Sequence, residues 1–461
     1  MAVDERTPGK KLLIAVLIGA LLAIPLFAVY LLVYDRQSQS QVARASIAEG
    51  WGGPQTIAGP VLVIPYQEQT TETVSEGGKQ VAKTQTVWRE LTLAPEQADL
   101  RTDLTPERRR RSIYEAVLFE AAASGTARFV LPADLARFGI TQDRLFFDRA
   151  ELRFGLRDAR GLYGAPPAVT VDGVRLGLQP GKGSAATGGA GFFTWLDASP
   201  LRTRAIAASF RFTFRGNGWI ALAPQAGDTR WTVTSKWPHP SFQGGFLPTA
   251  QQVSANGFNA TWRVGNLALG RTLVSAGESA PDTRETPVGD RYDTSQQAGD
   301  YEARVDLISP VDLYSQVNRS VKYGFLFIGF TFMAFLMFDV IAGVRVATAE
   351  YLLVGAGLVL FFVMLLAFAE VIGFALAYIL AAAAIVGLLT AYSAPVLRSW
   401  QRAGYIAALL IALYAILYVL LSLEAYSLLI GAILLFAALA GIMYLTRKID
   451  WSGLRSATAT D

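Results

Sequence analysis

Few side chains in this sequence could do chemistry, and one histidine stands out among them. The chain of 461 residues has no cysteine and a single histidine, His239. These two counts exclude thiol catalysis, disulfides, thiolate metal sites and zinc motifs built from two histidines. Any Ser-His-Asp machinery would have to work through His239. We therefore expect no catalytic residue, no metal site and no cofactor.

His239 lies in an unusual stretch, Trp-Pro-His-Pro-Ser-Phe, in which two prolines flank the histidine and aromatic residues stand at both ends. Proline fixes φ and removes a backbone donor, so the sequence predicts a rigid turn rather than the interior of a strand. Trp237, His239 and Phe242 are candidate binding residues if this turn faces a ligand or a partner. The alternative, which we favour, is that the aromatic side chains close one end of a β-sandwich.

Three carboxylates in or beside apolar segments are the remaining candidates. Asp339 lies inside a long apolar run, and a carboxylate within a membrane span is a candidate functional site. Arg345 follows closely, so an equally good interpretation is that Asp339 reaches the membrane interface. Glu370 and Glu424 each lie in a short break between two apolar runs and are weaker candidates for binding.

The apolar runs that hold these carboxylates follow one another in the last third of the chain. They cover residues 323–344, 351–369, 371–394, 403–423 and 425–446. Each is close to the roughly 20 residues that cross about 30 Å of hydrocarbon. Their near-complete lack of charge favours insertion into a bilayer. The sequence therefore predicts a bundle of five transmembrane helices within residues 321–446.

A sixth apolar run, residues 12–34, follows a basic N-terminal segment, residues 1–11. It exceeds the apolar core of a secretory signal peptide, which has roughly 7 to 15 residues, and we interpret it as an uncleaved signal anchor. The breaks between the later runs alternate between arginine or lysine and a lone glutamate. By the positive-inside rule, six spans with both termini cytoplasmic satisfy this pattern. Residues 35–320 are then outside, and residues 447–461 form a cytoplasmic tail.

The outside segment, residues 35–320, is predicted to be a large β-rich, sandwich-like domain. In residues 152–157 and 210–215, apolar side chains alternate with positions that include arginine. A period of two buries an apolar face and leaves the arginine-bearing face in water. Residues 67–86 are rich in threonine, with two glycines near the middle, and predict a long protruding hairpin.

Two glycine-containing segments, residues 179–191 and 277–300, lack apolar anchors and are predicted to be long surface loops. The first is also a candidate boundary between two lobes of the domain. A basic run, residues 108–111, follows Thr-Pro-Glu, which is typical of a helix start. We expect a solvated short helix or turn there; the alternative is a contact with anionic envelope polymer or lipid.

Several stretches resemble the CreD family of inner-membrane proteins from Gram-negative bacteria. They are residues 237–248, 321–332, 350–355, 370–374, 424–431 and 446–451, with a weaker likeness in residues 110–114. The resemblance implies a protein under two-component control that is linked to envelope stress, with residues 35–320 in the periplasm, and it supplies no catalytic residue. Asp339 stands where the family usually has glutamate, and Ala347-Thr-Ala replaces a usual His-Pro pair.

Together these observations predict a non-enzymatic inner-membrane protein that senses or supports the envelope through its periplasmic domain. The expected partners are the lipid bilayer and either envelope components or other inner-membrane proteins. Nucleic acid is not expected, because the formal charge of +4 is small for this length and the arginines are spread out. The alternatives are a transporter or lipid-handling protein that uses the five-helix bundle, and a carboxylate-based hydrolase.

Overall fold

A computed structural model describes residues 8–76, 79–111, 114–133, 135–276, 301–307, 313–341, 347–422 and 427–447. The chain forms two compact units. The helical unit comprises Met1–Val42 and Val311–Asp461, and the β-rich unit comprises Ala43–Pro310. The possible lobe boundary near residues 179–191 falls inside the β-rich unit.

The helices have the following bounds. They are α1 (Pro8–Glu49), α2 (Asn266–Leu269), α3 (Leu313–Lys322), α4 (Gly324–Ile341), α5 (Thr348–Ile372), α6 (Phe374–Val396), α7 (Trp400–Ser422) and α8 (Ser427–Thr446). Among the residues that the structure describes, five helical segments are long and apolar enough to cross a membrane: α1, α3 with α4, α5, α6 and α7. The apolar α8 adds a sixth, with 20 residues. The predicted set of six spans is confirmed.

Two helical features differ from the prediction. Helix α1 does not end where its apolar run ends but continues through polar residues to Glu49. Helix α3 is amphipathic, and its buried residues Tyr314, Val317 and Val321 belong to the core of the helical unit. The predicted outer segment, residues 35–320, includes most of α3, because the low mean hydropathy of this helix does not reveal its one-sided apolar face.

Large aromatic residues and close helix contacts hold the helical unit together. The rings of Phe361 and Tyr414 lie 4.5 Å apart between centroids. The Tyr378 hydroxyl donates a hydrogen bond of 2.7 Å to the Tyr414 carbonyl. Gly355 of α5 packs against Leu22 of α1, where a Cβ atom would meet the leucine side chain at 2.0 Å. This absence of a side chain lets two spans approach closely.

The β-rich unit is built from two sheets. The strands are β1 (Gln55–Glu76), β2 (Lys79–Leu93), β3 (Gln97–Arg111), β4 (Tyr114–Phe129), β5 (Ala150–Leu156), β6 (Ala168–Val171), β7 (Val174–Arg175), β8 (Gln179–Pro180), β9 (Gly191–Leu196), β10 (Ile206–Asn217), β11 (Trp219–Ala223), β12 (Asp228–Ser235), β13 (Pro240–Gly244), β14 (Ala250–Ser254), β15 (Gly257–Gly265), β16 (Val274–Ala276) and β17 (Ala303–Leu307). The first sheet has the order β13-β17-β11-β1-β5-β9-β8, with β2 bonded to β1 and β16. The second has the order β14-β15-β12-β3-β4-β10-β6-β7.

One apolar core lies between the two sheets and draws on both. Its fully buried side chains include Leu62 and Phe154 from the first sheet and Phe119, Phe214 and Trp231 from the second. This arrangement confirms the predicted sandwich. The predicted hairpin is also present, since β1 and β2 pair without a break from Leu62 opposite Leu93 to Glu76 opposite Lys79.

Three local predictions were wrong. The basic run that starts at Arg108 belongs to strand β3, which pairs with β4 to its last residue, so it is not a helix or turn. Strand β5 is buried at every position, including Arg153, whose face we expected to be in water. The segment 179–191 is not a free surface loop, because β8 pairs with β9 and the Thr187 side chain packs over Gly155. The other predicted loop, residues 277–300, lies outside the described residues.

Candidate functional site

The stretch Trp-Pro-His-Pro-Ser-Phe, residues 237–242, which we call the aromatic turn, contributes mainly to the core of the β-rich unit. The Trp237 side chain is buried, and its Nε1 donates to the His239 carbonyl at 3.1 Å. Phe242 is half-buried, with its ring edge-on to those of Phe258 and Trp262 at 5.9 and 5.6 Å between centroids. The imidazole of His239 is exposed. The predicted turn is confirmed for Trp237 to His239 only, because Pro240 to Phe242 belong to strand β13, which pairs with β17 at the edge of the first sheet. An edge strand tolerates a proline, and the prolines therefore did not exclude a strand. The aromatic contacts fit the favoured interpretation, in which these side chains close one end of the sandwich.

The candidate carboxylates of the helical unit do not form one cluster. Asp339 is buried in α4, within electrostatic reach of Tyr351 at the start of α5. Near the other end of α5, Glu370 accepts a hydrogen bond of 3.2 Å from the Tyr314 hydroxyl. At about 1.5 Å per helical residue, Tyr351 and Glu370 are separated by roughly 30 Å. Glu424 lies outside the described residues.

A polar arrangement in the β-rich unit surrounds Trp51, just beyond the end of α1. The guanidinium carbons of Arg109 and Arg215 lie 3.8 and 3.9 Å from the centroid of its ring. The Trp51 Nε1 donates to the carbonyl of Phe119 at 3.3 Å. We call Trp51, Arg109, Arg215, Glu120 and Tyr163 the α1 junction. Two cations on one indole ring fix this tryptophan through cation–π attraction.

An apolar contact supports the α1 junction beside the tryptophan. Ala48, in the last turn of α1, is buried against Ala116 and Leu118 of β4, and Ile47 and Trp51 pack around this small cluster. The end of α1 is therefore held to the second sheet by both apolar and polar contacts.

The charges of the α1 junction are mutually compensated. Arg215 donates to Glu120 at 2.9 Å through Nη2, and its guanidinium also lies over the Tyr163 ring at 4.2 Å. Burial acts to raise the pKa of Glu120, but hydrogen bonds from Tyr163 and Arg215 outweigh it and lower the pKa. Burial and the same carboxylate raise the pKa of Tyr163. At neutral pH, the Glu120 carboxylate is therefore charged and the Tyr163 phenol is neutral.

Hydrogen bonds between side chains and the backbone fix the segment that leads from Trp51 into β1. Gln55 is fully buried, and its Nε2 donates to the carbonyls of Asp158 and Arg215 at 3.1 and 2.8 Å. The Asp158 carboxylate accepts from the Gly53 amide at 3.0 Å. Its hydrogen bonds with Arg160, followed by that from Gly53, lower the pKa of Asp158 to about 2. The ends of β5 and β10 thus meet at one glutamine.

The basic run contributes to two sites at once because neighbouring strand residues point to opposite faces. Arg109 contacts Trp51, whereas Arg108 lies over the Trp237 ring at 5.0 Å and pairs with Glu115 at 3.4 Å. The structure therefore connects the basic run with the aromatic turn, which the sequence left as separate candidates.

A second ionic cluster is buried on β5. Arg153 donates to Glu90 and Glu151, each at 2.8 Å, and Lys182 pairs with the second of these carboxylates at 2.5 Å. Lys182 comes from the glycine-containing segment that covers this face. Every charge in the cluster has an opposite charge beside it, so the cluster is electrically balanced. Among the residues that the structure describes, there is no group of three or more acidic, histidine or cysteine side chains that could hold a metal ion.

Apolar helices of membrane-spanning length, joined to a large β-sandwich, define an integral membrane protein with a folded domain outside the bilayer. The family described as "Inner membrane protein CreD" matches residues 7–452. The chain is 30% identical over 440 residues to the inner membrane protein CreD of Escherichia coli K12, across 94% of this chain and 91% of that protein. The chain therefore belongs to the CreD family, which confirms the resemblance seen in the sequence.

Proposed function

We propose that this inner-membrane protein supports or senses the integrity of the cell envelope through its β-rich unit, without catalysis. The observation that carries the proposal is the α1 junction. One uninterrupted helix, α1, contains an apolar span and ends where Arg109 and Arg215 hold Trp51. The β-rich unit therefore binds the last turn of the helix whose apolar part is a membrane span.

The orientation belongs to the same proposal. Both termini are cytoplasmic, and the β-rich unit is periplasmic, because basic residues then lie on the cytoplasmic side of the bundle. The lipid bilayer is one partner. Envelope components or other inner-membrane proteins are the others, and nucleic acid is not a partner.

The absence of catalysis is proposed from the state of the buried carboxylates. Glu151 is occupied by Arg153 and Lys182, and Asp158 by Arg160 and the Gly53 amide. A general acid needs a raised pKa, whereas the pKa of Asp158 is lowered. Burial raises the pKa of Glu302, which makes this carboxyl the first acid to substitute in a test. Purified protein that hydrolysed an envelope glycan, with loss of turnover on substitution of one acidic residue, would contradict this part.

The proposal is tested by complementing a deletion strain under envelope stress with full-length variants. A double variant, Arg109→Met with Arg215→Met, removes both cations from Trp51 and is expected to lose protection against detergent and osmotic shock. The matched control, Arg128→Met with Arg263→Met, removes two arginines from exposed ion pairs with Glu96 and Asp228. Both variants must be present in the membrane at wild-type levels. Full protection by the junction variant, or a deletion strain as tolerant as its parent, would refute the proposal.

A transporter or lipid-handling protein is the second candidate, and the burial of Asp339 in α4 favours it. This side chain is only 4% exposed within a span, where charge is costly. An Asp339→Asn variant should then abolish protection while the junction stays intact. If Asp339→Asn protects as well as the wild type, the main argument for transport through the bundle fails.

A further inference from the structure

The outer face of the second sheet carries an open groove of about 620 Å³, away from the α1 junction. Four charged side chains line it, Asp99, Arg101, Arg211 and Arg230, together with hydroxyl groups. Three positive charges against one negative charge give the groove a net charge of +2. We propose that this groove binds a polyol phosphate, that is, a phosphate group attached to a sugar or a glycerol.

The strand registers place two arginines on either side of a hydroxyl. Arg101 of β3 and Arg211 of β10 are both paired directly with Ser124 of β4. Since neighbouring strands are about 4.8 Å apart, the Cα atoms of the two arginines are roughly 10 Å apart. Long guanidinium side chains can converge on one anion across this gap, with the Ser124 hydroxyl between them.

These two arginines are also available for a ligand. Both are exposed, and among the described residues neither has a carboxylate within 4.0 Å. Arg230 differs, because Asp99 lies 3.7 Å from it. Arg101 and Arg211 therefore supply the uncompensated charge. Arginine binds phosphate oxygens in a bidentate manner, which favours phosphate as the anion.

A second row of side chains explains why the phosphate should carry a polyol. Thr126 of β4, Ser209 of β10 and Thr170 of β6 lie side by side in register. This row is two residues along each strand from the arginine row and therefore on the same face of the sheet. Ser209 and Thr170 already form a hydrogen bond with each other. Such hydroxyls donate to and accept from the hydroxyls of a polyol. The groove thus offers two cations in one row, and in the next row hydroxyls beside the paired Asp99 and Arg230.

The inference goes beyond the proposed function and does not depend on it, because binding can be measured on the purified chain. Full-length protein in phosphatidylcholine nanodiscs is titrated calorimetrically with glucose 6-phosphate, glucose and inorganic phosphate. We expect glucose 6-phosphate to bind at least tenfold more tightly than either of the others. We also expect the affinity to fall as salt is raised.

Variants locate the site. Arg101→Met and Arg211→Met should each weaken binding of glucose 6-phosphate about tenfold, since a charge-assisted hydrogen bond is worth about a factor of 10 or more. Ser209→Ala should weaken the binding of glucose 6-phosphate but leave the binding of inorganic phosphate unchanged. Arg263→Met is the matched control: it lies on the same sheet but is paired with Asp228 at 2.8 Å, and it should bind as the wild type does.

Two results would overturn the proposal: no binding of glucose 6-phosphate, or binding that Arg101→Met and Arg211→Met leave unchanged. Nanodiscs that contain phosphatidylglycerol distinguish the source of the ligand. If this lipid competes with glucose 6-phosphate, the groove is assigned to a lipid headgroup; if it does not, the groove is assigned to a soluble polyol phosphate. A failed complementation with intact binding would refute only the proposed function.

Discussion

Strands β5 and β10 carry the same sequence pattern but have different surroundings. Each alternates large apolar residues with positions that include arginine, and in both the apolar side chains enter the core between the sheets. On β10 the opposite face is open around Arg211, which lines a groove, and is covered further along at Arg215. On β5 the opposite face is covered, and Arg153 is 6% exposed. A period of two therefore identifies the core face but not what covers the other face.

The difference arises from a segment distant in sequence. Lys182, from the segment that follows β8, pairs with Glu151 on the outer side of β5, and Thr187 packs over Gly155 nearby. Once that cover is in place, Arg153 can remain charged only because carboxylates neutralise it. The same residue type is thus a buried structural element on one strand and an accessible cation on the other.

The sharpest test of this comparison replaces each of the two arginines by methionine in a separate variant. Arg153→Met removes the guanidinium from buried Glu151, which keeps its pair with Lys182, and we expect a loss of about 1–3 kcal/mol in the free energy of unfolding. Arg211→Met, on the open face of β10, is the control and should change it by less than about 0.5 kcal/mol. Urea unfolding of the full-length protein, followed by tryptophan fluorescence, measures both.

A second change distinguishes a lost charge partner from lost packing. Adding Glu151→Gln to Arg153→Met removes the buried carboxylate that has lost its guanidinium partner, so the double variant should be more stable than Arg153→Met alone. Equal stability of the single and double variants would mean that Arg153 contributes through packing of its aliphatic stem rather than through charge.

The sequence was sufficient where local physics decides the outcome. The apolar runs predicted the spans, and alternation predicted β5 and β10, because length, hydropathy and a period of two are properties of single segments. The long hairpin of β1 and β2 was predicted for the same reason. The basic run was mispredicted, because Thr-Pro-Glu is typical of a helix start, but pairing of β3 with β4 overrides that local preference.

The α1 junction and the groove could not be predicted, because sheet pairing assembles both. Trp51, Arg109 and Arg215 are widely separated in the chain, and no local pattern links them. Arg101 and Arg211 become neighbours of Ser124 only through the registers of two strand pairs. The local signal for the junction is a tryptophan that closely follows the polar extension of α1.

Arg215 lies on the same strand as Arg211 but contacts Trp51 at the α1 junction. Trp51→Leu removes the ring between Arg109 and Arg215, and we expect a loss of about 1–2 kcal/mol in the free energy of unfolding. Amide hydrogen exchange should accelerate in the last turns of α1 and remain slow in β12. The control is Trp195→Leu, because the Trp195 side chain is 58% exposed; similar exchange at the end of α1 in both variants would contradict the role of the junction.

The smallest expected effect lies where the ends of the two strands meet, at Asp158. Hydrogen bonds with Arg160 and Gly53 lower its pKa from the ordinary 3.8 to about 2, so the folded state favours the carboxylate. The resulting stability is fully present above about pH 4 and is lost as the pH falls towards 2. Since Arg160 is 81% exposed, solvent screening limits this contribution to about 1 kcal/mol.

Asp158→Asn should therefore lower the free energy of unfolding by about 1 kcal/mol at pH 7, with a difference from wild type that narrows below about pH 4. Asp148→Asn, at a side chain that is 68% exposed, is the control and should change little at any pH. Urea unfolding between pH 7 and pH 3 measures both variants. A difference that stays constant over this range would show that Asp158 holds Gly53 and the start of β1 through its shape and neutral hydrogen bonds alone. In that case the charge on the Asp158 carboxylate would contribute nothing to the point where the ends of β5 and β10 meet.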